Sequence, residues 1–224
     1  MTSFGCDGQV DQDYEGEPLA TMLGTIRNEM TSAPPSAIVA VFWVNSAGSP
    51  DFFVGETVPV EAHFPADFSM KLYTSPPAEV LNDFTMGGRF PHETRIGMAW
   101  IAVGAPDAQG ELNPDLAGPG SCLGLAEDHV LAYVEEDIVP GTFSELFVQG
   151  PLKAGYHVLQ VERQSDAEVQ RAMDCLAKAT TTQDEIACGL ASGDLYSDAP
   201  QGLNTRIPVR LVDDCDTLEP ANLK

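Results

Sequence analysis

The octapeptide Ala37–Val44, AIVAVFWV, constrains this chain more than any other segment. It is far short of the ~20 apolar residues that span a bilayer as a helix. Its Val, Ile, Phe and Trp favour the pleated surface of a sheet. A near-continuous apolar run of this length suits a central strand covered on both faces. The remaining segments must supply that cover, and most of them are written in strand grammar.

Alternation is the dominant pattern. Leu19–Ile26 reads as a first strand, with Gly24 near its end. Thr57–His63 and Asp67–Tyr73 read as a hairpin about Phe64-Pro65-Ala66-Asp67. Val58, Val60 and Ala62 alternate on one arm, and Phe68, Met70 and Leu72 on the other. Pro76-Pro77 ends it, and Ala78–Phe84 has room for one or two helical turns. Further strands are expected at Thr94–Val103, Asp128–Glu135, Phe143–Val148, Tyr156–Glu162 and Thr205–Val212. Trp43 and Trp100 sit inside strand patterns and read as core residues. Near the end the grammar changes. Ser165 and Glu168 make a capping box, and Val169, Met173 and Leu176 follow at helical spacing to about Ala179. A second helix is expected over Thr182–Leu190, stopped by Gly189 or Gly193.

Strands that do not alternate with long helices disfavour a doubly wound sheet. The expectation is a mainly β chain: an antiparallel β-sandwich with Greek-key-like connections and a late helical-hairpin insertion at about 165–191. Residues 1–18 form an acidic flexible tether, 19–213 a single domain, and 214–224 a tail that is loose apart from Cys215.

Charge narrows the partners. Lys and Arg number 11 and Asp and Glu 34, for a net charge of −23. Such a polyanion releases no counterions from a phosphate backbone, so nucleic acid is excluded as a partner. Anionic lipid headgroups are excluded on the same grounds, which leaves membrane contact only through a lipid anchor.

The five cysteines are Cys6, Cys122, Cys175, Cys188 and Cys215. Cys6 stands apart in a stretch without apolar periodicity. Cys175 and Cys188 flank a polar turn in the expected helix pair, which puts them within reach of a disulfide. Cys122 and Cys215 then pair by elimination. The alternative is four buried thiols in a reducing compartment. Ser3-Phe4-Gly5-Cys6 looks like the tail of a bacterial lipobox, which makes Cys6 the expected lipidation site.

Chemistry-bearing clusters are few. Asp107, Glu111, Asn113 and Asp115 place oxygens around Gly110 in a loop that could hold calcium, though the glycine comes one position early for an EF-hand. A solvated acidic turn is the competing reading. His63, Met70, Met86, His92 and Met98 would form a soft copper-ligand set if the hairpin met the following strand. No G-x-S-x-G, H-E-x-x-H, Walker loop or G-x-G-x-x-G is present. Phe52-Phe53 lies between Gly, Ser and Pro residues and reads as an exposed apolar contact.

Several segments taken together carry a resemblance: Tyr14-Glu15-Gly16-Glu17-Pro18-Leu19-Ala20, then Leu23-Gly24-Thr25-Ile26, VAVFWV and FPADFSMKLY. With GMAWIAVGAPDAQGELNP, DHVLAYVEED and GPLKAGYHVLQVE, this order resembles uncharacterised exported lipoproteins of myxobacteria. The resemblance covers most of the chain and rests on structural motifs. It implies a sandwich exported through a lipobox cysteine, and no particular substrate. The relatives' loop corresponding to 107–115 is richer in Asp and Gly, and Ala108 and Gln109 depart from it here.

The functional expectation is a non-catalytic surface protein, binding or structural, exported to the outer membrane or the exterior. Its partner would be a protein or glycan, with no cofactor beyond calcium. The alternatives are an extracellular hydrolase using two carboxylates and a subunit of a surface assembly.

Overall fold

Arg95–Gly104 carries the apolar sequence IGMAWIAV, and every residue from Ile96 to Gly104 except Trp100 is buried. A strand so closed to water on both faces needs neighbours on both edges. The structure, a computed structural model, describes residues 16–44, 52–61, 63–83, 94–112, 122–138, 148–181, 184, 188 and 194–218. The strands are β1 (Ala20–Asn28), β2 (Ala37–Val44), β3 (Phe52–Val60), β4 (Ala66–Leu72), β5 (Asn82–Asp83), β6 (Arg95–Gly104), β7 (Cys122–Leu125), β8 (His129–Val134), β9 (Val148–Gln149), β10 (Gly155–Arg163), β11 (Asp194–Asp198) and β12 (Arg206–Leu211). One helix, α1 (Asp166–Leu176), stands between β10 and β11.

All of these strands belong to one mixed, unclosed sheet of ten strands plus the two-residue pairings of β5 and β9. Its main order is β4-β1-β12-β7-β6-β8-β10-β11-β9. The sheet branches at β6. One edge of β6 pairs with β8 through Ile96–Ala99 and with β7 through Ala102–Gly104. The other edge pairs with β5 at Arg95 and Ile96 and with β2 from Ala99 to Gly104. Strand β3 lies outside β2.

The largest core cluster gathers Met22 and Ile26 of β1, Val39, Val41 and Trp43 of β2, and Phe68, Met70 and Leu72 of β4. Ile101, Leu131, Val158 and Val209, from β6, β8, β10 and β12, complete it. A second cluster, including Ile96, Val130, Leu159 and Tyr196, fills the opposite face of the β8–β10–β11 arm. Ala40, Phe42 and Ala102 make a third on the far side of β2 and β6. The octapeptide of β2 thus touches core on both faces, as its composition requires.

Two expectations are corrected. The sheet is not wholly antiparallel: β12 enters between β1 and β7 and runs parallel to β1, and β9 runs parallel to β11. The two arms of the expected hairpin do not pair. β3 pairs with β2, whereas β4 pairs with β1. Val60 and the Phe68/Met70/Leu72 set enter the same core from different neighbours, so alternation is satisfied without a shared ladder. The connection carries a cis Phe64–Pro65 bond.

The helices are described in part. One helix is delimited among the described residues, begun by the capping box: the Ser165 N–H donates to the Glu168 carboxylate at 2.8 Å. Only Ala172 of its residues is buried, and Met173 is exposed. Of the second expected helix only Asp184 and Cys188 are described, and both are helical. The described part of the tail, up to Leu218, holds regular structure. A 3-10 turn spans Cys215–Thr217, Leu218 is buried, and the Thr31 hydroxyl and backbone N–H donate to Asp213.

Both expected cysteine pairs form disulfides, Cys122–Cys215 with Cα atoms 6.1 Å apart and Cys175–Cys188 at 5.5 Å. The first spans 93 residues and staples β7 to the turn after β12. The second spans 13 and ties α1 to the segment that follows it. Loop-closure entropy assigns about 4.7 kcal/mol to the long loop and about 3 to the short one. Removing Cys122–Cys215 as a double Ala variant is therefore expected to lower the urea midpoint more than removing Cys175–Cys188.

Close approach fixes one glycine. Gly24 is paired directly with Phe68 across β1 and β4, and a Cβ at Gly24 would fall 2.1 Å from Phe68 Cε1 and 2.9 Å from the Ile207 carbonyl. The Phe68 ring occupies the space of the missing side chain. Gly24→Ala forces the ring out and is expected to cost about 1–3 kcal/mol, a fall of several degrees in Tm by calorimetry.

Candidate functional site

Alternation decides what the β4–β1–β12 arm shows to solvent. The even-numbered residues of β1 from Ala20 to Ile26 and of β4 from Phe68 to Leu72 point to the core, as do the odd-numbered residues of β12. The outward set is Thr21, Leu23, Thr25 and Arg27 on β1, Asp67, Ser69 and Lys71 on β4, and Arg206, Pro208 and Arg210 on β12. Four cations therefore share this face with the single carboxylate of Asp67, in a chain with 34 acids and 11 bases.

Most of these charges are tied down. Arg206 pairs with Asp67 at 2.8 Å, and Thr25 donates its hydroxyl to the same carboxylate at 2.6 Å. The Thr25 bond and the Arg206 guanidinium hold Asp67 below the usual carboxylate range. Arg210 reaches Glu29 at 3.1 Å and Glu127 at 2.6 Å. Arg27, the lateral partner of Arg210 across the parallel ladder, makes no ion pair among the described residues.

Arg27 lines an open cleft of about 430 Å³ with Asn28, Ala33, Phe64 and Pro65. The register explains the grouping. Ile26 faces Ala66 across the antiparallel ladder, so the next residues of β1 meet Phe64 and Pro65 where the chain enters β4. Phe64 is half-buried against the main core and lines the cleft with the rest of its ring. Asn28 accepts the Met30 N–H at 3.0 Å through Oδ1, which leaves its amide NH2 to donate. The volume lies in the range of small-ligand sites. Sequence reading missed this cleft. Its one signal was a scarce cation, Arg27, at an outward position of a clear strand pattern.

The residues singled out from sequence are mostly scattered. In the 107–115 loop, Asp107 Oδ1 accepts the N–H groups of Gln109 and Glu111 at 2.8 and 2.9 Å, and Gly110 takes φ +84°. The Asp107 carboxylate thus closes its own turn. Asn113 and Asp115 lie outside the described residues. No group of three or more His, Cys, Asp or Glu able to hold a metal gathers among the described residues. Met70 is buried in the main cluster and Met98 in the second, so the structure does not bring these two copper candidates together. His63 is exposed, and Met86 and His92 lie outside the described residues. Phe52 and Phe53 begin β3, and Phe53 packs against the core. Cys6 lies outside the described residues.

Among the described residues every carboxylate whose pKa moves is moved downward. Glu135 is held by Arg95, Asp137 by Lys153, Glu168 by Ser165 and Asp184 by Thr181. Tyr156 and Tyr196 are pushed upward by burial, and Arg210 is raised by its bond to Glu29. Tyr156 donates to the Thr74 carbonyl at 2.6 Å and stacks edge-on with Tyr133, a structural arrangement. Comparison with family models, curated proteins and solved structures returns no match.

His129 gives a pH test. Its Nδ1 is buried without a hydrogen-bond partner, and desolvation lowers its pKa below 6.5. The fold favours the neutral ring. The contribution is therefore complete above the unfolded-state value and is lost as pH falls toward the depressed one. His129→Gln is expected to flatten the decline in unfolding midpoint between pH 7 and pH 5, measured by urea titration at each pH.

Proposed function

We propose that this is an exported, non-catalytic binding protein of the cell surface, anchored to the outer membrane through Cys6. The observation that carries the reading is the pair of disulfides. They support an oxidising compartment, such as the periplasm or the exterior. The described helix is too short to cross a membrane, so attachment falls to the Ser3-Phe4-Gly5-Cys6 motif.

Binding is favoured over carboxylate-dependent hydrolysis by the direction of the pKa shifts. A general acid at neutral pH is a carboxyl raised by desolvation. Among the described residues the shifted carboxylates are lowered by donors and cations, which suits fixed charges better than proton donors. Loop 107–115 remains the place where calcium would act, through Asp107, Glu111, Asn113 and Asp115, as a structural clip.

We infer further that the two arms meeting at β6 face one another as the layers of a sandwich. The support is a single core cluster that takes inward residues from β1, β4 and β12 and also from β2, β6 and β10.

Fractionation tests the anchor. The chain is expressed in a Gram-negative host behind a lipoprotein leader that processes at Cys6. The wild type is expected in the outer-membrane fraction with an acylated N-terminal peptide by mass spectrometry, and Cys6→Ala in the soluble periplasm. Wild-type protein that stays soluble and unacylated would refute the anchor.

A further inference from the structure

The geometry points to the Arg27 cleft as a recognition site for a carboxylate-bearing sugar ring, a uronate unit of an acidic surface glycan. This deepens the reading of the protein as a surface binder and rests on it.

The argument begins with charge. At physiological ionic strength a charge is screened beyond about 8 Å, so a ligand at this face meets local groups before it meets the net −23. The local groups are Arg27 and its lateral neighbour Arg210, with Arg206 further along the same strand. Arg210 and Arg206 are engaged by Glu29, Glu127 and Asp67. Arg27 has no acidic partner among the described residues, and its fork of N–H donors matches a carboxylate in two-point geometry. A neutral ligand would leave that guanidinium unused, and a cation would be repelled.

The remaining walls describe the body that carries the carboxylate. Phe64 and Pro65 form an apolar side, with the Phe64 ring held from behind by the core. Such a side accepts the C–H face of a pyranose. Ala33 adds a small wall that keeps the cleft open to a ring. The Asn28 amide, fixed through its oxygen by Met30 N–H, presents NH2 donors to a ring hydroxyl. The cleft is open, which suits a unit inside a longer chain better than an enclosed metabolite.

The test uses the full-length oxidised chain and NMR titration with galacturonate, its trimer, and galactose as the neutral match. Two single-charge variants are compared with wild type: Arg27→Gln in the cleft and Lys178→Gln beyond α1. Unfolding midpoints confirm that both fold. The expected result is saturable binding of galacturonate and tighter binding of its trimer, with little binding of galactose. Arg27→Gln should weaken the trimer by about tenfold or more, and Lys178→Gln should leave it unchanged. Equal binding of galactose and galacturonate overturns the proposal. So does an equal loss in both variants, which would mean a net-charge effect, and so does no binding at tens of millimolar. None of these outcomes depends on whether Cys6 is acylated, so failure of the anchor and failure of the cleft are read separately.

Discussion

The fold depends on β6 being shared. A strand ordinarily serves two neighbours. This one serves four, with β8 and β7 dividing one edge and β5 and β2 dividing the other. Each backbone N–H and C=O along it must find a partner in one of those ladders, because burial leaves no water to do so. The division is possible because β6 is ten residues long and its register shifts at Val103/Gly104 against β7. From that shared strand one arm leads to β4 and another to β9, and their inward faces supply the clusters that exclude water.

Charge is arranged around this dry frame. Thr94 is the only buried polar residue among the described ones, so the acidic excess lies at or near the surface. The cations act as local ties. Arg95 donates to both oxygens of Glu135, and Lys153 meets Asp137. Arg210 bridges the exit of β1 and the turn before β8. Exposed pairs of this kind contribute little each to stability. Their larger effect is to decide which positive charges are already satisfied, and so which surface is left to attract an anion.

Much of the frame was legible in the sequence. β2 was given by composition alone, β10 and β12 by strict alternation, and α1 by Ser165 and Glu168. Both disulfides followed from spacing and elimination. What escaped was pairing. Alternation says which face a strand buries and is silent about its lateral neighbour, so β3 and β4 looked like partners when they only share a core. β7 and β11 are short, and Gly124 and the polar Asp194 and Ser197 hid them. The Arg27 cleft was invisible for the same reason. Phe64 and Arg27 are far apart in sequence, and only the β1–β4 register makes them neighbours.

The position of β12 has a consequence for the order in which the protein can be completed. The last strand in chain order lies in the middle of an arm, between the first strand and β7. Until Arg206–Leu211 arrives, β1 has only β4 beside it, and its other edge cannot close. Contacts of such long separation form late. The N-terminal strands therefore cannot finish their sheet ahead of the rest, and the Cys122–Cys215 bond, once oxidised, locks the closing strand in place.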